Sequence, residues 1–149
     1  MLETEMVDFP GVSCPEFKTA DESAVQQSEI VIGVVAFGEA RAYLRSAFDL
    51  RKQHIVNDKI GSVPITIIHC DRTRNTRVLT SGKPDGDANI RCSGWLVKKS
   101  EMAIRVNNQE YAHSSQDIPL QDLPFVVTTW KEWQQAHPTS LVYMGPTIK

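Results

Sequence analysis

The residues best placed to do chemistry follow one apolar run: His69-Cys70-Asp71-Arg72-Thr73-Arg74-Asn75-Thr76-Arg77. A histidine-cysteine pair entering a basic loop invites comparison with the cysteine phosphatases. There a thiolate sits in a ring of backbone amides and a fixed arginine clamps the phosphoryl oxygens. The H-C-x-x-x-x-x-R spacing puts that arginine at position 76, which is Thr76; Arg77 falls one residue late. The loop also has no glycine to let amides converge on an anion. A looser reading keeps Cys70 as a reactive thiol among Arg72, Arg74 and Arg77. The plainer one, preferred here, makes it a small apolar residue ending a buried strand. Alternation groups His69 with Val63, Ile65 and Ile67, and Cys70 with Thr66 and Ile68. The two side chains then face opposite ways and form no dyad.

Metal or haem ligands could come from His54, His69, His113, Cys70 and Cys92. None shows ligand-pair spacing such as H-x-x-x-H or C-x-x-C, so satisfied structural histidines explain them better. His137, beside Pro138, reads as a partner for a helix dipole. Asn57-Asp58, followed by Lys59 and Gly61, reads as a turn in which both side chains bond neighbouring amides. Its functional alternative is a carboxylate and an amide presented beside the Cys70 loop, which makes Asp58 a catalytic candidate with Cys70 and His69. Glu39, Arg41 and Tyr43 share one strand face, which either meets solvent or builds an internal ion pair. There is no P-loop, no G-x-G-x-x-G and no G-x-S-x-G, so neither nucleotide binding nor a nucleophile elbow is supported. No cofactor is expected.

Composition narrows the class. With 149 residues and 41% hydrophobic content, the chain can bury a real core. A net charge of −2, with the signs interspersed, removes the electrostatic basis for general nucleic-acid binding. No apolar run approaches the roughly 20 residues needed to span a bilayer. Three scattered cysteines make no disulfide framework. The acidic start MLETEMVDFPG lacks the basic and apolar parts of an export signal. Those features predict a soluble cytoplasmic protein, although a removed signal would leave no trace.

The elements that must hold these residues are mostly strands. Residues 1–28 read as an extended lead-in docked by Phe9, Val12 and Phe17, and 29–149 as one globular domain. IVIGVVAF and ARAYL pair around Gly38-Glu39, and RSAFDLRKQ forms a short helix with Leu44, Phe48 and Leu50 inward. HIV is a strand and NDKIGS a turn. VPITIIHC is a strand whose unbroken apolar character implies burial on both faces. Residues 71–87 read as loop. ANIRCSG, WLVKKS and EMAIRVN are strand-like, Asn107-Asn108 is a tight hairpin turn, and EYAHSS is its return. FVV precedes the one clear helix, TTWKEWQQAH. Thr129 and Glu132 have capping-box spacing there, and Trp130 and Trp133 share a face. LVYM closes the chain.

The order GEARAYL, HIVND-x-x-G-x-VP-x-x-x-x-x-C, CSGWL and TTWKEWQQAHP resembles a bacterial family catalogued as domain of unknown function 3179. The resemblance runs from about Ile30 to Met144. It covers Gly38 to Tyr43, Ile55 to Asp58, Cys70, Ser93, Gly94, Trp130, Trp133, His137 and Pro138. Family members read H-E-I-V-N-D where this chain has Gln53-His54-Ile55-Val56-Asn57-Asp58. They continue C-P-L-C where it has Cys70-Asp71-Arg72-Thr73. The stretch before the final helix is shortened. The resemblance therefore carries over neither a paired-thiol site nor a role for the displaced histidine, and it implies no reaction.

These readings predict an α+β fold: a mainly antiparallel β sheet or open barrel with one helix at about 129–137. They predict a non-catalytic binding or accessory domain, with a protein or peptide partner at an open sheet edge. The alternative is thiol- or metal/haem-dependent activity at the loop after Cys70. Ligand contacts are expected from Asn57, Asp58, Arg72, Arg74, Ser93 and Gly94. At least two of the Asn57-Asp58 turn, the Cys70–Arg77 loop and the Ser93-Gly94 bend should border one concavity.

Overall fold

A strand that never alternates needs cover on both sides, and Val63–His69 has it. Ile65 and Ile67 join one hydrophobic cluster, Ile68 and Cys70 another. The computed structural model describes residues 4–49, 53–84 and 86–145. In chain order the strands are β1 (Thr4–Pro10), β2 (Val12–Ser13), β3 (Phe17–Lys18), β4 (Ile30–Ala36), β5 (Glu39–Leu44), β6 (Ile55–Ile60) and β7 (Val63–His69). They continue as β8 (Thr76–Thr80), β9 (Arg91–Leu96), β10 (Glu101–Val106), β11 (Gln109–Ala112), β12 (Gln121–Asp122), β13 (Val126–Thr129) and β14 (Leu141–Tyr143). A 3-10 turn covers Arg45–Phe48, and α1 covers Trp130–Ala136.

Three sheets result. The N-terminal sheet runs β1-β9-β10-β11, the middle sheet β12-β8-β7-β6-β2, and the helix-bearing sheet β13-β4-β5-β14-β3. All neighbours are antiparallel except β2 with β6 and β14 with β5. Core membership gives the stacking. Ile32, Val34 and Tyr43 of the helix-bearing sheet meet Val56, Ile60, Ile65 and Val78 of the middle sheet. On the far face of the middle sheet, Ile55, Ile68, Cys70 and Leu79 meet Cys92, Met102 and Ile104. Val31, Ala42 and Val142 cover Trp130 and Trp133. The order is helix, helix-bearing sheet, middle sheet, N-terminal sheet. The mainly antiparallel α+β expectation holds, with no closed barrel among the described residues.

Several local readings change. Asn57-Asp58 is not a turn: β6 continues to Ile60, and the chain reverses at Gly61-Ser62. Part of the expected 71–87 loop is β8, whose Val78 and Leu79 are buried. Val97 to Ser100 is a turn, not strand. The described lead-in is three strands followed by turns at 20–22 and 27–28, and Phe9, Val12 and Phe17 do pack. It also gives an edge strand to every sheet: β1 to the first, β2 to the middle, β3 to the helix-bearing one. Leu50 lies outside the described residues.

The helix is capped and pinned. Thr129 accepts a bond from the Glu132 amide at 3.2 Å. The Glu132 carboxylate accepts from the Thr128 hydroxyl instead of reaching back to Thr129, so only half a capping box forms. The Trp133 indole lies on Gly33, where a Cβ would stand 2.3 Å from the ring. Its Nε1 donates to Ser140 Oγ at 2.8 Å. The pair Asn107-Asn108 adopts φ of 51° and 65°, as its hairpin requires. Replacing Gly33→Ala should destabilise the protein by about 2 kcal/mol, as overpacking does. Denaturant unfolding followed by tryptophan fluorescence measures this, and an unchanged midpoint would contradict the packing described.

Candidate functional site

Asn57 and Asp58 are adjacent in β6, so alternation points them to opposite faces of the middle sheet. The Asn57 side chain reaches the N-terminal sheet. Its Nδ2 donates to the Ile90 carbonyl at 3.0 Å, and its Oδ1 accepts from the Ile90 amide at 3.1 Å and from Thr66 Oγ1 at 2.9 Å. Gly11 lies so close that a Cβ there would sit 2.4 Å from Asn57 Nδ2. Asp58 reaches the helix-bearing sheet. It accepts from Arg41 Nη1 at 3.0 and 2.8 Å and from the Tyr43 hydroxyl at 2.6 Å. Arg41 also donates to the Lys59 carbonyl and to Glu39. The Glu39, Arg41 and Tyr43 triplet thus builds an internal ion pair. Burial, reinforced by the facing Asp58 charge, lifts the Tyr43 pKa well above its usual value, keeping the phenol a neutral donor.

The Cys70 loop faces elsewhere. His69 and Cys70 do point apart: the His69 ring meets Phe48 edge-on at 6.2 Å, while Cys70 sits in the opposite cluster. His69 Nδ1 is 2.7 Å from Thr76 Oγ1, and burial followed by the Arg45 charge lowers its pKa. The loop bonds itself, Cys70 N donating to Asn75 O and Arg74 N to Cys70 O. Those amides are not aimed at an anion, so the phosphatase comparison fails in space as well. The basic cluster also disperses. Arg72 stacks 4.1 Å from the Trp95 ring centre, and Arg77 donates to Asp122 and to the carbonyls of His113 and Ser115.

Between the middle and N-terminal sheets lies a cavity of about 340 Å³. Its walls include Phe9, His54, Cys70, Asp71, Arg72, Cys92, Gly94, Trp95 and Met102. Two of the three sequence-predicted segments, the Cys70 loop and the Ser93-Gly94 bend, border it; Asn57 and Asp58 do not. His54 donates from Nδ1 to the Phe48 carbonyl at 2.6 Å, and its Nε2 is 3.6 Å from Asp71. A groove of about 540 Å³ shares Asp49 and Asp71 with the cavity and continues past Arg45, His69 and Arg74.

The cavity depends on a bulge. Ala103 faces Gly94 and Ile104 faces Cys92, so Ser93 has no residue opposite it in β10. Gly94 has φ of 142°, a conformation unfavourable to side-chain-bearing residues. Alternation would put Cys92 and Trp95 on opposite faces; the extra residue turns both toward the cavity. The grouping of Cys92, Trp95 and Met102 on one wall was missed from sequence. Glycine inside a strand pattern was the available signal.

The family model described as "Protein of unknown function (DUF3179)" matches residues 7–147. The chain belongs to that family. No curated protein and no solved structure matches it. The DUF3179 landmarks now divide by role. Arg41, Tyr43, Asn57 and Asp58 join layers, Trp130 and Trp133 hold the helix, and Ser93 and Gly94 shape the cavity wall. His54 bonds the Phe48 carbonyl, in the chain ahead of β6.

Among the described residues, no three His, Cys, Asp or Glu side chains group closely enough to hold a metal ion. The metal candidates His54, His69, His113 and Cys70 therefore do not form one centre. His113 is buried with neither ring nitrogen hydrogen-bonded to a described residue, and burial lowers its pKa to about 4.

Two predictions follow from these side chains. Asp58→Ala, which strands Arg41 between layers, should cost about 3 kcal/mol in denaturant unfolding; a loss typical of an exposed residue would contradict the weld. His113 takes a proton more readily unfolded than folded, so its contribution is present above pH 6.5 and is lost as pH falls toward 4. Stability should drop by about 2 kcal/mol between pH 7 and pH 5 from this group. A His113→Gln variant should show a flatter profile over that window, and an unchanged slope would contradict it.

Proposed function

We propose that this DUF3179 chain is a non-catalytic binding domain that takes an extended segment of a partner protein onto the edge of its helix-bearing sheet. One observation carries the reading: an open strand edge and an exposed apolar strip coincide. Among the described residues, β13 pairs with Ile30 to Gly33 of β4, and Val34 to Ala36 pair with β5 on one side alone. Around that opening Val35, Phe37, Phe125, Val126 and Val127 are exposed, Val126 by 53%. Val126 and Val127 point to opposite faces, so neither face covers this end of the edge.

An unpaired strand edge offers donors and acceptors in a fixed row, and an extended chain is the partner that satisfies them. Alternate apolar side chains on that segment would then lie along the exposed valines and phenylalanines. Catalysis finds less support, since His69 and Cys70 face apart and the Cys70, Arg74 and Asn75 amides bond within the loop. A thiol-dependent activity is the competing reading, favoured by Cys70 and Cys92 lining one cavity.

The test is selection of a random peptide library against the full chain, followed by amide exchange with the selected peptides. Enriched peptides should alternate β-branched or aromatic residues and protect the amides of Val34 to Ala36. A Val35→Lys, Val126→Lys variant of unchanged melting temperature should weaken them by roughly tenfold or more. No enrichment, or protection at another edge, would overturn the assignment. Rapid alkylation of Cys70 in the folded protein would favour the thiol reading instead.

A further inference from the structure

The cavity between the middle and N-terminal sheets collects soft donors. Two of the chain's three cysteines, Cys70 and Cys92, and one of its four methionines, Met102, line it together. They come from separate places: Cys70 directly follows β7, Cys92 lies in β9 and Met102 in β10. The Ser93-Gly94 bulge turns Trp95 onto the same face as Cys92, and Met102 is Trp95's cross-strand partner. Both thiols are buried, yet the space beside them is not filled by protein.

We propose that this cavity is a site for a soft monovalent cation, copper(I), held by the Cys70 and Cys92 thiolates with the Met102 thioether alongside. The class of ion follows from the donor set. Thiolates and thioethers select copper(I), whereas structural zinc asks for four ligands drawn from Cys, His and carboxylate. No group of three such residues occurs among the described residues, so the zinc alternative lacks its ligands. His54 is not counted as a donor, because its ring is already directed to the Phe48 carbonyl and toward Asp71.

The charge also balances locally. Binding exchanges two thiol protons for one Cu⁺, so a bis-thiolate centre carries one negative charge and two protons leave to solvent. Arg72 lines the same cavity, and its guanidinium lies over Trp95 at the wall. A guanidinium there offsets the negative charge, and the indole face excludes water from the metal. No change of oxidation state is involved. The site is separate from the sheet edge proposed for a protein partner, so either assignment can fail without the other.

The test uses the full reduced chain under anaerobic conditions, with copper(I) supplied as its coloured bicinchoninate complex. The folded protein should withdraw one equivalent and develop an ultraviolet thiolate-to-copper band. X-ray absorption of the loaded wild-type protein should show sulfur neighbours only. Cys70→Ser and Cys92→Ser should each abolish withdrawal. Met102→Leu, which keeps the side-chain volume, should weaken it roughly tenfold or more without lowering the melting temperature. Cys14→Ser, at an exposed position, should change nothing. No withdrawal by the wild-type protein would overturn the proposal. So would nitrogen or oxygen neighbours at the metal, equal competition by zinc, or uptake that follows Cys14. The absorption measurement needs no variant, so it decides even if a cysteine substitution fails to fold.

Discussion

Three stacked sheets in one short chain pose a problem of registration, and the adjacent Asn57 and Asp58 side chains answer it. Apolar packing is non-directional and would tolerate sliding between layers. A buried amide paired to both backbone groups of Ile90 does not tolerate it, nor does a buried carboxylate shared by Arg41 and Tyr43. Because β6 alternates, one dipeptide fixes the middle sheet against both neighbours. Each polar atom there is expensive to leave unpaired in the low-dielectric interior, which makes the alignment specific. Arg77 adds a similar tie from β8 to the chain after β11.

In this chain Arg41, Tyr43, Asn57 and Asp58 serve registration. The surfaces proposed to meet a ligand are built elsewhere, by a bulge in β9, the loop after β7 and the edge beside β13. A binding role therefore does not need the buried carboxylate or its arginine to be reachable. It needs them to keep the cavity walls and the open edge in fixed positions.

What could be read from sequence was whatever repeats locally. The unbroken VPITIIH run declared a strand covered twice. The parity of His69 and Cys70 excluded their dyad, and Thr129 with the two tryptophans marked the helix and its buried face. Asn57-Asp58 was misread because those residue types also make turns, and the partner that decides, Arg41, is 17 residues away in sequence. β8 was missed because its short buried run sits among charges that are satisfied by Asp122 and distant carbonyls. Strands of two residues in the lead-in have no period at all. The cavity was only half legible: its loop and bend were named, but the face swap produced by Ser93-Gly94 depends on pairing with β10.

Native-state hydrogen exchange at increasing denaturant tests the layered registration most directly. If the Asn57-Asp58 dipeptide locks both neighbours to the middle sheet, the slowest amides of all three sheets share one opening free energy and one denaturant dependence. Those of β6 and β7 would be among the slowest. Independent opening of the N-terminal or helix-bearing sheet, with the middle sheet still protected, would contradict it.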